Sequence, residues 1–313
     1  MKFVVFGTGG VGGYFGGRLA TAGEDVVFIA RGEHLQAIRS KGLRVDSIKG
    51  NFVIDPANAT DQISEVGMAD VILMAVKAWQ VPQVAKMLSP MIGPHTFVVP
   101  MENGVEAPLQ LSQALGREHV LGGLCRIFSL VAAPGHIRHA GVEPVVAFGE
   151  LNKTKSERVE QLRQAFTRAG VVAEVPDDIH VAMWEKFMFI APVSGMGAIT
   201  RVPIGILRSV PETRRMLQVA IQEIFAVARA REIPVPEDAI ARTMNYIDGI
   251  PPSGTASMQR DIMEGRPSEI SAQNGAVVRL GREAGIETPV HRFIYESLLP
   301  MELLARGEIE FPE

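Results

Sequence analysis

Residues 3–17 read FVVFGTGGVGGYFGG. The apolar run Phe3-Val4-Val5-Phe6 breaks at Gly7, and Gly7-Thr8-Gly9-Gly10-Val11-Gly12 then fits G-x-G-x-x-G. Each glycine has a physical task in that pattern. The first makes a tight turn at the end of a strand, the second lets the backbone approach a pyrophosphate, and the third lets the next helix pack close to the strand. Free N–H groups and the dipole at the helix N-terminus then favour phosphate. A glycine-rich turn with no ligand would satisfy the same letters. The strand-like run before it favours the dinucleotide reading, and residues 7–12 are the candidate phosphate-binding residues.

Outward from this turn, residues 14–22 read as a helix stopped by Gly23, and 25–30 (DVVFIA) as a second strand. A helix over 34–40 stops at Gly42, and two alternating segments flank Lys49-Gly50-Asn51 as in a hairpin. Residues 70–76 (DVILMAV) form a continuous apolar run, the signature of a buried parallel strand. A short helix over 84–88 and strands over 96–99, 120–130 and 145–148 complete the predicted sheet. Strands alternating with short helices predict an α/β domain with a Rossmann-type, doubly wound parallel sheet. Residues 150–156 form a polar connection, 157–169 an amphipathic helix and 171–175 a short strand. From Asp177 onward no strand is apparent, and 183–190, 214–231, 237–246 and 270–283 read as helices. The expectation is a dinucleotide-binding domain over 1–172 and an all-helical domain over 173–313.

Composition agrees with this plan. A chain of 313 residues suits about two domains. Its 47% hydrophobic and 21% charged residues are ordinary for a globular protein with a sizeable core. The net charge of −4 argues against a nucleic-acid partner but leaves room for a local basic pocket holding a small anion. The single cysteine, Cys125, precludes an internal disulfide, suits a reducing cytoplasm and reads as a small buried hydrophobe. No apolar run reaches membrane-spanning length, and no targeting segment is expected. The apolar helical half could bury a homodimer interface or form one compact domain.

Several polar residues stand where chemistry would need them. An acidic residue after the second strand would bond ribose hydroxyls and favour NAD, but this chain has Ala30-Arg31-Gly32. Arg31 can form charge-assisted bonds to a 2′-phosphate, so NADP is expected, although nearby Glu33 could reach the ribose instead. Lys77 follows the 70–76 strand and Asn103 the next one, at the ends that face a ligand in such sheets. Either could equally be a solvated or turn residue. Lys186, in Trp184-Glu185-Lys186, could donate a proton to a ketone oxygen and stabilise the alkoxide, though surface lysine is the plainer reading. Glu269 could likewise be only a favourable charge near a helix start. His136 and His139 lack an adjoining carboxylate cluster, and their spacing on a strand does not converge on a metal. Met183 and Met188 read as core filling, and Ser194-Gly195 lacks a nucleophile elbow.

Taken in order, GTGGVGGYFGGRLA (7–20), ARGEHLQAI (30–38), VKAWQV (76–81), ENGVE (102–106), MWEKF (183–187), TASMQRDIMEGRPSEI (255–270) and GIETPV (285–290) resemble the ketopantoate reductase family nearly end to end. The resemblance implies a Rossmann domain, a helical domain, an active site between them and reduction of a 2-keto acid by NADPH. It puts the catalytic lysine on Lys186, acting as general acid. It puts the glutamate that bonds the substrate hydroxyl, or orients the lysine, on Glu269. The substrate serine falls on Ser257, the cofactor-side lysine and asparagine on Lys77 and Asn103, and the 2′-phosphate arginine on Arg31; Asn103 also counts as a substrate contact.

Three substrate-side positions depart from the family pattern. Ile190, Ser194 and Gly254 stand where amides are usual. Lost amide donors remove hydrogen bonds by which a polar site discriminates. Either Ser194, Ser253 or Thr255 replaces those contacts, or the substrate is a bulkier, more apolar 2-keto acid. Two further readings stay open: a non-catalytic dinucleotide sensor, and an NAD-linked oxidation of a larger 2-hydroxy acid, against which Arg31 weighs.

Overall fold

The computed structural model describes residues 1–310 and falls into two units, Met1–Glu102 with Ala107–Ile179, and Asn103–Glu106 with His180 onward. The first unit contains, in chain order, β1 (Lys2–Phe6), α1 (Gly10–Thr21), β2 (Asp25–Ile29), α2 (Gly32–Lys41), β3 (Leu43–Ser47), β4 (Phe52–Ile54), β5 (Ala59–Thr60), β6 (Val71–Met74), α3 (Val81–Met87), β7 (Phe97–Pro100), α4 (Ala107–Leu115), β8 (Leu121–Ala133), β9 (His136–Glu150), α5 (Glu157–Arg168) and β10 (Val172–Glu174). Five strands form a parallel sheet in the order β5-β2-β1-β6-β7. Phe3 lies opposite Val26 on one side and Val71 on the other. The order reverses at β1, so the doubly wound topology opens beside the glycine turn.

Side chains alternate across β1, as a strand's two-residue period requires. Phe3 and Val5 join one core with Phe15, Phe28, Phe148 and Phe166. Val4 and Phe6 face the opposite core, where Val81, Val84 and Leu111 of α3 and α4 cover them. The sheet is therefore buried on both faces, which is why β6 (VILM) is apolar without alternation.

The expected strands over 120–130 and 145–148 do not complete this sheet. They form the long antiparallel pair β8–β9, in a second sheet ordered β10-β9-β3-β4 with β8 also on β9. The physical reason is the connection. Only Pro134 and Gly135 separate the strands, too short for the crossover a parallel pair needs. Gly135, at φ +73°, makes the turn. The predicted hairpin is present, Leu43 facing Ile54, and also belongs to this second sheet. An isolated parallel bridge, Val98 to Val120, joins the entry to β8 to the first sheet.

Helix α1 lies between the two sheets, and its paired glycines make that possible. A Cβ on Gly12 or Gly16 would sit 2.8 or 2.5 Å from Val5 of the first sheet. A Cβ on Gly13 would sit 2.8 Å from Ile137, and one on Gly17 2.9 Å from Phe52, both in the second. Residues four apart share a helix face, so each sheet meets its own glycine pair.

The second unit is helical among the described residues: α6 (Ile179–Thr200), α7 (Ile204–Ser209), α8 (Pro211–Ala230), α9 (Ala239–Gly249), α10 (Ser257–Met263), α11 (Asn274–Ala284) and α12 (Pro289–Arg306). Helix α6 runs well past the expected 183–190, through Pro192, Gly195 and Gly197. Residues 191–198 are all buried, so this part is apolar all round and shows no amphipathic period. Burial there overrides the low helix propensity of Gly and Pro. The change of unit falls between Ile179 and His180, later than 172/173. Val172 of β10 pairs with Val145, which keeps this stretch in the first unit. No helix among the described residues is long and apolar enough to cross a membrane.

Candidate functional site

In the first unit, the glycine turn has the geometry the spacing predicts. Gly7 sits at φ +100°, and a Cβ there would lie 2.6 Å from the Ala75 carbonyl oxygen. A Cβ on Gly12 would lie 2.1 Å from the Gly7 oxygen, so only glycine lets α1 start this close to β1. At Gly9 nothing lies within 4 Å of that position, which leaves open space where a phosphate would approach. No side chain caps α1 at Gly9, so the first-turn N–H groups of Gly10 and Val11 stay available. Ser129 Oγ donates to the Gly10 carbonyl (2.9 Å) and ties the helix start to β8.

Thr8 is buried, and both its N–H and its hydroxyl donate to the Ile29 carbonyl, at 3.2 and 2.9 Å. Its side chain thus anchors the turn to the end of β2. In the sequence, His34 carries no signal of its own beyond its place in a helix. Its Nδ1 accepts from the Gly135 N–H (3.0 Å), which leaves the proton on Nε2 to donate to the Thr8 carbonyl (2.7 Å). Burial pushes the imidazole below its usual pKa, against the opposing effect of the bond to Thr8.

Arg31 is the exposed N-cap residue of α2, directly beyond β2, and Gly32 follows at φ +55°. Glu33 is exposed in the same first turn. Lys77, partly buried, follows β6, and its N–H donates to Gln80 Oε1 (3.2 Å). Because β1, β2 and β6 are parallel neighbours, Gly7, Arg31 and Lys77 share one end of the sheet. Nothing in the spacing of the sequence singles out Glu102 either. Buried after β7, its carboxylate accepts from Val76 N–H (3.2 Å) and Met101 N–H (3.1 Å) and joins two strand ends.

In the second unit, Glu269 is 5% exposed. One of its oxygens, Oε2, accepts from Asn103 Nδ2 (3.3 Å) and Gln273 Nε2 (3.4 Å). Gly104 sits at φ +113°, and a Cβ there would lie 2.9 Å from the Ala272 oxygen. Glycine after Asn103 is thus what lets the amide reach Glu269. The loop bearing Glu269 is pinned one residue earlier. Ser268 donates to Glu302 Oε2 from its N–H (2.8 Å) and hydroxyl (2.5 Å), and Arg306 donates to Glu302 Oε1 (2.5 Å).

Lys186, Ile190 and Ser194 share one face of α6 by their four-residue spacing. Lys186 and Ile190 are partly buried, whereas Ser194 is fully buried, and among the described residues its hydroxyl has no hydrogen-bond partner. Ser257 opens α10 and is partly buried. Thr255 is engaged by Arg260, which donates to its carbonyl (2.7 Å) and hydroxyl (2.9 Å). At Gly254 a Cβ would meet Ile250 at 2.9 Å and the Pro251 oxygen at 3.1 Å, so this backbone leaves little room for an amide side chain. His136 pairs with Asp46 (2.8 Å), and His139 bonds Ser47 (2.8 Å) and the Val142 carbonyl (2.9 Å). Both imidazoles serve the second sheet.

The family model described as ketopantoate reductase PanE/ApbA matches residues 3–153, and its C-terminal counterpart matches residues 178–302. The uncharacterized oxidoreductase YkpB of Bacillus subtilis is 33% identical, over 95% of this chain and 98% of its own. The crystal structure of a PanE/ApbA family ketopantoate reductase from Ralstonia eutropha JMP134 has a TM-score of 0.88 and 30% identity, covering 98% of this chain and 100% of the other. A ternary structure of D-mandelate dehydrogenase with NADH and anilino(oxo)acetate shares the fold, with a TM-score of 0.89 at 24% identity, covering 98% of this chain and 99% of the other. The glycine turn on a parallel sheet, followed by an all-helical unit, is here the architecture of an oxidoreductase. The chain belongs to the ketopantoate reductase (PanE/ApbA) family.

Proposed function

We propose that this protein reduces a 2-keto acid to the 2-hydroxy acid with NADPH, with ketopantoate, the substrate in the family's name, as the first candidate. The observation that carries the reading is the buried Glu269 carboxylate, oriented by Asn103 and Gln273, in a family of reductases. The open Gly9 position and the uncapped start of α1 suit a pyrophosphate, with Gly7, Thr8, Gly10, Val11 and Gly12 building the turn. Arg31 would pair with a 2′-phosphate, and Lys77 and Asn103 would contact the cofactor. A nicotinamide dinucleotide held by these residues would be the source of the hydride for the keto carbon. Lys186 donates the proton to the carbonyl oxygen and stabilises the developing alkoxide. Glu269 accepts from a substrate hydroxyl or orients Lys186. Ser257, Ser194 and Asn103 would hold the acid. The reaction suits a cytoplasmic enzyme.

A second reading concerns the substrate alone. Ile190 offers an apolar surface one helical turn from Lys186, and Gly254 offers no amide. Both favour a keto acid with a more apolar side chain.

The test is NADPH consumption by purified protein with ketopantoate and a panel of bulkier 2-keto acids. Preference for ketopantoate supports pantoate formation and a role in pantothenate synthesis. Preference for a bulkier acid supports the second reading. NADPH binding without turnover on any acid overturns both and leaves a dinucleotide sensor.

A further inference from the structure

His34 is bonded to two distant parts of the first unit. Its Nδ1 takes the Gly135 N–H of the β8–β9 turn, and its Nε2–H holds the Thr8 carbonyl inside the glycine turn. In a planar trans peptide the C=O and the next N–H point in opposite directions. Holding the Thr8 carbonyl therefore turns the Gly9 N–H the other way. Among the described residues that N–H has no protein acceptor, and space is open beside Gly9. The Thr8 N–H is bonded to Ile29, so the peptide before it is fixed as well.

We infer that His34 is the positioning residue of the phosphate turn: it keeps the Thr8 carbonyl away from the phosphates and the Gly9 N–H toward them. Without it the Thr8–Gly9 peptide can flip and present a carbonyl oxygen, an acceptor that repels phosphate. His34 also lies in the first turn of α2, three residues after Arg31. One side chain thus sets the glycine turn and the start of α2 in register. This inference rests on the dinucleotide reading above.

The experiment pairs two amide substitutions that each retain one of the two bonds. In His34→Gln the terminal amide replaces Nε2 and can still donate to Thr8. In His34→Asn the shorter side chain reaches only the Nδ1 position, and the Thr8 carbonyl is released. NADPH affinity is measured by titration, alongside kcat at saturating NADPH, KM for the keto acid and the thermal midpoint. The expected result is about tenfold weaker NADPH binding for His34→Asn, the scale of one lost buried hydrogen bond, with kcat and keto-acid KM unchanged. His34→Gln should recover most of the affinity. Equal affinity in both variants, whether retained or lost, overturns the inference. So does a matching loss in kcat and keto-acid KM, the mark of general structural damage. Failure of the wild-type protein to bind any nicotinamide dinucleotide is a separate outcome: it overturns the function reading and this inference with it.

Discussion

Asn103 and Glu269, 166 residues apart in the chain, are joined by a hydrogen bond from Nδ2 to Oε2 of 3.3 Å. The bond spans two loops, each with its own constraint. Gly104 lets one approach the Ala272 backbone, and the Ser268–Glu302–Arg306 network holds the other. A carboxylate fixed this way is pre-oriented, and in the proposed role it would lose little entropy on meeting a substrate hydroxyl. Replacing Glu269 with Gln keeps the shape but removes the charge and one acceptor. We expect a fall in kcat of about 10²-fold or more, with NADPH affinity unchanged by titration.

The proposed proton donor can be separated from cofactor binding. Lys186→Ala should lower kcat by roughly 10²- to 10⁴-fold, the range of a lost general acid, and leave NADPH dissociation within about threefold. Stopped-flow turnover beside equilibrium titration reads both. Equal losses in the two would remove Lys186 from the chemistry.

Cofactor choice should depend on Arg31. It is exposed at the N-cap of α2 and makes no ion pair among the described residues, so a 2′-phosphate would meet a guanidinium that is already free. Arg31→Ala should raise KM for NADPH about tenfold, as expected for a lost charge-assisted pair, and barely alter KM for NADH. An equal change in both would assign 2′-phosphate recognition elsewhere.

Acid stability should depend on His291. This fully buried imidazole donates to the Ala220 carbonyl and accepts from Asn274, at 3.0 Å each, and burial pushes its pKa down to about 4 from 6.5. The folded state then binds fewer protons than the unfolded state between those values. Its contribution is full above pH 6.5 and is lost as pH falls toward about 4, with a limit of roughly 3 kcal/mol. Urea unfolding from pH 7 to pH 4.5 should show this decline, and His291→Gln should flatten it. An unchanged slope in the variant would place the acid sensitivity on other groups.

Residues 3–17 were readable because their constraints are local. A strand must end where Gly7 turns, and α1 must start where Gly9 leaves it uncapped. The alternation of strands and helices likewise announced a parallel sheet, since each parallel neighbour needs a crossover. The placement of the β8–β9 hairpin is not legible in the sequence, because apolar content alone does not say which sheet a strand joins. The full length of helix α6 is hidden in the sequence because residues 191–198 are all buried and have no amphipathic period.

Sequence order alone therefore determined the class of the first unit and the helical character of the second, which depend on spacing within a few turns or strands, whereas Lys186, Ser257 and Glu269 stand out in it only through a family resemblance. Only the tertiary structure decided which distant residues meet. Gly135 meets His34 across 101 residues, and Glu302 meets Ser268 across 34. The pairing of α1's glycines with two different sheets is of the same kind. Such contacts follow from where whole elements pack, and no local pattern in the chain encodes that.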